Sequence, residues 1–139
     1  MVKKINTCSS LYTPKVLATF RNPHNYGRLK NASGIGKIGN PVCGDVMWLY
    51  IKVAQNKKKE DFIKDIKFET FGCVAAISTS SIITDLVKGK TIKKASKITK
   101  DNVVKALGGL PKIKYHCSIL AVDALDKAIK DYNAKKTKN

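Results

Sequence analysis

The apolar positions change period part-way along the chain. From Val46 to Val53 they alternate, with Met47, Leu49, Ile51 and Val53 on one face and Val46, Trp48 and Tyr50 on the other. That is the period-2 pattern of a β-strand. Gln55 to Glu60 is a polar, lysine-rich turn. Phe62 to Phe71 then reads as a second strand, with Ile66 and Phe68 on one face, so the two make an antiparallel hairpin. Upstream, Gly34-Ile35-Gly36-Lys37-Ile38-Gly39 holds too many glycines for a helix. It reads as an irregular strand or as a phosphate-cradling loop. A Gly-x-Gly pair alone is a weak nucleotide signal, and no Lys-Ser/Thr follows it. Gly34 to Asn40 is therefore expected to add a third strand.

After Cys73 the apolar positions take up helical spacing. Val74 to Ile77 starts a helix, Ile82, Ile83, Leu86 and Val87 continue its stripe, and Gly89 is placed to cap it. Thr91 and Asp101 read as N-caps of two shorter helices, near Ile92 to Ile98 and Asn102 to Leu107. Gly108-Gly109-Leu110-Pro111 stops the second. A last amphipathic helix is expected after Cys117, with Ala121, Leu125, Ala128 and Tyr132 at helical spacing. At the other end, Thr13-Pro14 predicts an N-cap and a first helical position. The short helix carries Val16, Leu17 and Phe20 and ends at Asn22-Pro23, because the residue before proline is pushed out of the helical region. A loop rich in Asn and Gly runs from Pro23 to Ser33.

A short helix, then strands, then helices predicts the α+β class: a three-stranded antiparallel sheet with helices packed on one face. The 139 residues, 43% of them hydrophobic, suit a single domain over residues 1–139. Residues 1–11 and 134–139 are expected to be mobile tails. No apolar run approaches the ~20 residues of a membrane span, and the first residues lack the apolar stretch of a secretory signal. A reducing, cytoplasmic location is the expectation that follows.

The charge is strongly basic, with 27 Lys+Arg against 10 Asp+Glu and a formal net charge of +17. Such a surface attracts acidic proteins, anionic surfaces or nucleic acid. The lysines are scattered, however, and the aromatic residues do not interleave with them as in a base-stacking surface. A solvated lysine surface, or one that docks an acidic partner, fits better than nucleic-acid binding.

Four cysteines stand at positions 8, 43, 73 and 117. Cys8 lies alone in a polar segment and reads as a plain thiol. The other three sit in Pro41-Val42-Cys43-Gly44-Asp45, Phe71-Gly72-Cys73 and Tyr115-His116-Cys117, each where one kind of structure gives way to another. In a reducing compartment clustered cysteines point to metal binding or catalysis more than to disulfides. Cys43 and Asp45, two apart in extended chain, face the same side. Cys73 and Cys117 fall at the starts of helices, where partial positive charge lowers a thiol pKa. The long separations are unlike the paired knuckles of a zinc ribbon. A metal or iron–sulfur site, buried core thiols, and a catalytic cysteine beside His116 all remain open on this reading.

The chain resembles the IscU/NifU-type iron–sulfur cluster assembly scaffolds. The motifs that carry the resemblance are Asn22-Pro23-His24-Asn25-Tyr26-Gly27, Gly39-Asn40-Pro41-Val42-Cys43-Gly44-Asp45, Lys67-Phe68-Glu69-Thr70-Phe71-Gly72-Cys73 and His116-Cys117-Ser118-Ile119-Leu120-Ala121, in this order, within Tyr12 to Tyr132. The resemblance implies a non-enzymatic scaffold that builds a [2Fe–2S] cluster from iron and sulfur and transfers it to apo iron–sulfur proteins. It implies Cys43, Cys73 and Cys117 as cluster ligands, Asp45 and His116 as additional or exchangeable ones, and zinc at the same site in the cluster-free form. The partners it implies are a cysteine desulfurase, a frataxin-like protein, a ferredoxin and Hsp70-type chaperones. One departure bears on the last: Leu110-Pro111-Lys112-Ile113-Lys114 stands where chaperone-recognised members carry Leu-Pro-Pro-Val-Lys. The alternative within the same resemblance is a zinc-bound, SufU-like sulfur acceptor. His116 and the lack of an insertion between Cys73 and Cys117 argue against it.

Overall fold

The computed structural model describes residues 12–39, 44 and 46–138. Its elements are α1 (Pro14–Arg21), β1 (Gly34–Gly39), β2 (Val46–Gln55), β3 (Asp61–Phe71), α2 (Val74–Val87), α3 (Ile92–Ala95), α4 (Lys100–Ala106), a 3-10 turn (Lys112–Lys114) and α5 (Tyr115–Lys138). The strands form one antiparallel sheet in the order β1-β2-β3, the α+β arrangement that the periodicity predicts. Met47, Leu49 and Ile51 of β2 and Ile63, Ile66 and Phe68 of β3 have no exposed surface and join Ile83, Val87, Ala124, Leu125 and Ala128 of α2 and α5 in one core. Each large side chain so buried contributes about 1.5–3 kcal/mol. An exposed ion pair contributes about 1 kcal/mol at most, so helix-on-sheet packing is what holds the sheet ends and helix ends in place.

Strict alternation fails once in β3. Lys52 pairs with Asp65 but Val53 pairs with Ile63, which leaves Lys64 as an extra residue. This bulge flips the face of the strand, and Ile63 and Ile66, three apart, are both fully buried. At the free edge of β3 the Pro23–Ser33 loop is partly ordered: Gly27 N–H donates to Phe68 O (2.8 Å) and Phe68 N–H to Asn25 O (3.0 Å).

The glycines of β1 are explained by the last helix. Gly34 and Gly36 lie opposite Ile51 and Leu49 and turn their bare faces to α5. A Cβ on Gly36 would collide with Ala124 O and stand 2.7 Å from Ala128 N, and one on Gly34 would collide with Ala128 O. The segment is a strand that lets a helix backbone approach closely, and the phosphate-loop reading falls away.

The caps follow the sequence in part. Thr13 and Thr91 cap α1 and α3 through their hydroxyls. The cap of α4 is Thr99, not Asp101: its hydroxyl accepts from Asn102 N–H while Asn102 Oδ1 accepts from Thr99 N–H (2.8 Å). This reciprocal pair outweighs a lone aspartate two residues on. The helix consequently begins at Lys100, and α3 stops at Ala95 rather than Ile98. The last helix begins at Tyr115, two residues before Cys117, because the 3-10 turn at Lys112–Lys114 leads straight into it. It continues to Lys138, so residues 134–138, expected as part of a mobile tail, belong to the helix. In that stretch Lys135 pairs with Asp131 (3.1 Å) and Lys136 with Asp61 (2.5 Å).

Gly36→Ala is expected to cost about 1–3 kcal/mol, as overpacking does, because backbone atoms on both sides must move. A lowered urea midpoint with an unchanged slope would record this, and an unchanged midpoint would contradict the proposed seam.

Candidate metal centre

Two of the three motif cysteines meet. Cys73 is the N-cap residue of α2, in extended conformation, and is half-buried. Cys117 lies in the first turn of α5 with no exposed surface. Their sulfurs are 3.7 Å apart, and both are free thiols. A disulfide would need about 2.05 Å. Two thiolates on one tetrahedral zinc, each at about 2.3 Å, stand about 3.8 Å apart, so the spacing suits a shared metal. His116 joins them, its Nε2 3.5 Å from Cys117 Sγ. Adjacent helical side chains diverge by about 100°, and here the ring is nevertheless directed at the neighbouring sulfur. Among the described residues no group of three or more His, Cys, Asp or Glu side chains is by itself arranged to hold a metal ion. Cys43 and Asp45, the remaining candidates, lie outside the described residues, as does Cys8.

The helix ends that carry the thiols are tied together by polar contacts in the core. Along α2, Ser78, Thr79, Ser80, Ser81 and Thr84 are all buried, and each hydroxyl finds an acceptor. Thr79 donates to Ala76 O (3.2 Å) and across to Cys117 O (3.3 Å). Ser78 donates to Val16 O (2.9 Å) and Ser80 to Ala76 O (2.7 Å). Among the described residues no buried side-chain N or O lacks a partner. The stripe seen in the sequence was the apolar half of a helix buried on its polar half as well. Thr79 was not among the residues the sequence singled out, since a lone hydroxyl in a helix carries no distinguishing pattern.

The electrostatics favour a thiolate. The Cys73 thiol is drawn down to about 5, above all by the Cys117 S–H donating to its sulfur. Burial opposes this, while the Ala76 and Ala75 amides and the Lys114 charge assist. Cys73 Sγ makes no cap hydrogen bond of regular geometry, so the amides act as oriented dipoles at the helix start. In return, Lys114 is held above its ordinary value, chiefly by the Cys73 charge. The arrangement thus favours the thiolate form at Cys73. Lys114 is a second residue coupled to the site without belonging to any of its motifs. Its only signal was a basic side chain one turn before Cys117.

Gly44, between Cys43 and Asp45 in the sequence, needs its backbone freedom. Its φ of +76° lies in the left-handed region, and among the described residues nothing stands within 4 Å of where a Cβ would be. Dihedral freedom, more than space, is what the position needs. The register ends at Val46↔Phe71, so the strand that follows the Cys43 motif and the strand that leads into Cys73 finish side by side.

The NifU-like N-terminal domain profile matches residues 11–139. The chain belongs to that family. Among its relatives is the iron–sulfur cluster assembly scaffold protein IscU 1 of Archaeoglobus fulgidus, 57% identical over 128 residues that cover 92% of this chain and 80% of that one. The iron–sulfur cluster assembly scaffold protein IscU of Aquifex aeolicus is 48% identical over 124 residues, 89% and 77% of the two chains. A crystal structure of the N-terminal part of a nitrogen-fixing NifU-like protein from Brucella abortus superposes with a TM-score of 0.67 at 18% identity, over 92% of this chain and 98% of that one. At that identity the likeness is one of fold, and it places this chain's α+β sheet and helices within the family's architecture.

In the metal-free protein, Cys117→Ala should raise the Cys73 thiol pKa, because it removes the largest stabilising donor, and Lys114→Ala should raise it less. Thiolate absorbance near the ultraviolet edge, followed against pH, measures both. A larger rise in the lysine variant would reverse the assigned order of causes.

Proposed function

We propose that this chain is a scaffold on which an iron–sulfur cluster is assembled and from which it is handed to apo acceptor proteins, acting as a carrier rather than an enzyme. The observation that carries the reading is the Cys73–Cys117 pair, 3.7 Å apart, with His116 against it, in a chain of the NifU-like N-terminal domain family. Iron and sulfide are cargo here. A [2Fe–2S] cluster takes four protein ligands, commonly all thiolates. This chain offers Cys73 and Cys117, with Cys43 tethered to the same corner of the sheet by three residues of chain, about 11 Å at full extension. Asp45 or His116 completes the set. Three soft thiolates and one harder oxygen or nitrogen donor hold the cluster less firmly than four thiolates would, which suits a donor. Zinc takes the same mixture of ligands and suits the cluster-free state.

The partners proposed follow from the scaffold role. Sulfur arrives from a cysteine desulfurase as a persulfide, and among the described residues the Cys73 thiolate is a nucleophile suited to take its outer sulfur, leaving the desulfurase thiolate. Electrons come from a ferredoxin, and a frataxin-like protein and Hsp70-type chaperones complete the set. A reducing cytoplasm keeps the thiols in the form that binds metal. Among the described residues no helix is long and apolar enough to cross a membrane.

Anaerobic reconstitution with ferrous iron and sulfide tests the reading. A visible charge-transfer spectrum should form and should be lost in Cys43→Ser, Cys73→Ser and Cys117→Ser. Asp45→Ala should still assemble a cluster but pass it to apo-ferredoxin more slowly. A colourless protein that holds one zinc and accepts sulfur from a desulfurase would replace the scaffold reading with the sulfur-acceptor one. Transfer from the Asp45 variant at the unaltered rate would remove that role from Asp45.

A further inference from the structure

The helices cover one face of the sheet, and among the described residues the other carries no helix, although Tyr50 on it is buried. The register sets its rows: Val46 beside Phe71, then Lys37, Trp48 and Glu69, then Ile35, Tyr50 and Lys67, then Lys52 and Asp65. Its exposed apolar groups lie on the two outer strands, with half-buried Trp48 between them. Phe71 is 73% exposed and Ile35 41%, and the Phe71 ring meets half-buried Trp48 edge-on with centroids 6.0 Å apart. Tyr26, Arg28, Trp48, Glu69, Thr70 and Phe71 line a cleft there. Large exposed apolar groups gathered on one face mark contact surfaces.

The charges around these groups are one-sided. Both carboxylates are already engaged: Glu69 accepts from Tyr50 O–H (2.6 Å) and Arg28 Nε–H (3.0 Å), and Asp65 pairs with Lys88 (3.5 Å). Among the described residues Lys37, Lys52 and Lys67 have no carboxylate partner, and Lys37 sits 5.4 Å over the Trp48 ring. The face therefore presents uncompensated positive charge around an aromatic pair. A second copy would set lysines against lysines, which costs affinity. A protein with an apolar projection ringed by carboxylates would satisfy both features. The face also borders the candidate site, since Phe71 is two residues before Cys73 and Val46 three residues after Cys43.

We propose that this sheet face docks the acidic acceptor protein that takes the cluster, resting on the scaffold reading above. Seated here, the acceptor has its edge beside Cys73, the half-exposed thiol, where its own thiolates can displace the scaffold's ligands. The step is ligand exchange, in which each Fe–S bond to the scaffold is replaced by one to the acceptor with no change of oxidation state.

The test uses an apo-ferredoxin as probe. Three variants are compared: Phe71→Ser, the pair Lys37→Glu with Lys67→Glu, and a control pair, Lys93→Glu with Lys105→Glu, which changes the net charge equally on exposed positions of other elements. Calorimetry on the metal-free protein reads affinity, and transfer from the reconstituted protein reads the half-saturating acceptor concentration. The face variants should weaken both by about tenfold, the effect of losing a strong interface residue, while the control pair changes them by no more than about twofold. Equal effects of the two charge pairs would reduce the surface to general attraction and overturn the proposal, as would unchanged affinity in Phe71→Ser. A homodimer in light scattering that Phe71→Ser dissolves would assign the face to a second copy, and a random RNA that competes the ferredoxin off would assign it to nucleic acid. Failure of the wild type to form a cluster would sink the scaffold reading, while the calorimetric comparison would still decide the docking surface.

Discussion

The close approach of the last helix to the glycine side of β1 is the constraint on which the site depends. Gly34 and Gly36 admit the α5 backbone at Ala124 and Ala128, two small buried residues. That contact fixes where α5 lies along the sheet, and a helix rises 1.5 Å per residue, so it also fixes how far Cys117 reaches. The second coordinate comes from α2, which starts where β3 ends and is pinned by Ile82, Ile83 and Val87 in the core. Thr79, bridging to Cys117 O, joins the two helix starts. The 3.7 Å between the sulfurs is thus set by packing many residues away, and no local motif encodes it.

This explains what could be read from the sequence. Local chemistry was legible: the Thr13-Pro14 start, the Thr91 cap and the alternation in β2 each rest on neighbours a few residues apart. What was not legible rests on distant or reciprocal contacts. Thr99 wins over Asp101 because Asn102 returns its hydrogen bond. The bulge at Lys64 shows only once β3 is paired with β2. Gly34 to Gly39 was legible as a strand, but the reason for its glycines shows only once the last helix lies across them. The cysteines themselves were found by their settings, but the meeting of Cys73 with Cys117, 44 residues apart, needed the whole core. Lys114 and Thr79 act on the sulfurs through space and left no mark in spacing.

The buried hydroxyls of α2 have a further consequence for the site. An all-apolar helix could slide or rotate in its groove at modest cost, since hydrophobic contact is non-directional. Hydroxyls at Ser78, Thr79 and Ser81 bond to α1, α5 and the His24 backbone respectively, and His24 N–H returns a bond to Ser81 Oγ at 2.8 Å. Hydrogen bonds are directional, and a buried one left unmade costs about 1–3 kcal/mol. The polar side of α2 therefore fixes its rotation, and with it the direction in which Cys73 presents its sulfur.

The two thiols differ in a way that bears on release. Cys117 has no exposed surface and lies with its sulfur 3.7 Å from Cys73, while Cys73 is half-exposed and is the thiol drawn down. On the scaffold reading, an acceptor thiolate can approach only from the side that solvent reaches. Exchange then begins at the harder ligand or at Cys73, and Cys117, screened by α2 and the start of α5, is the last to let go.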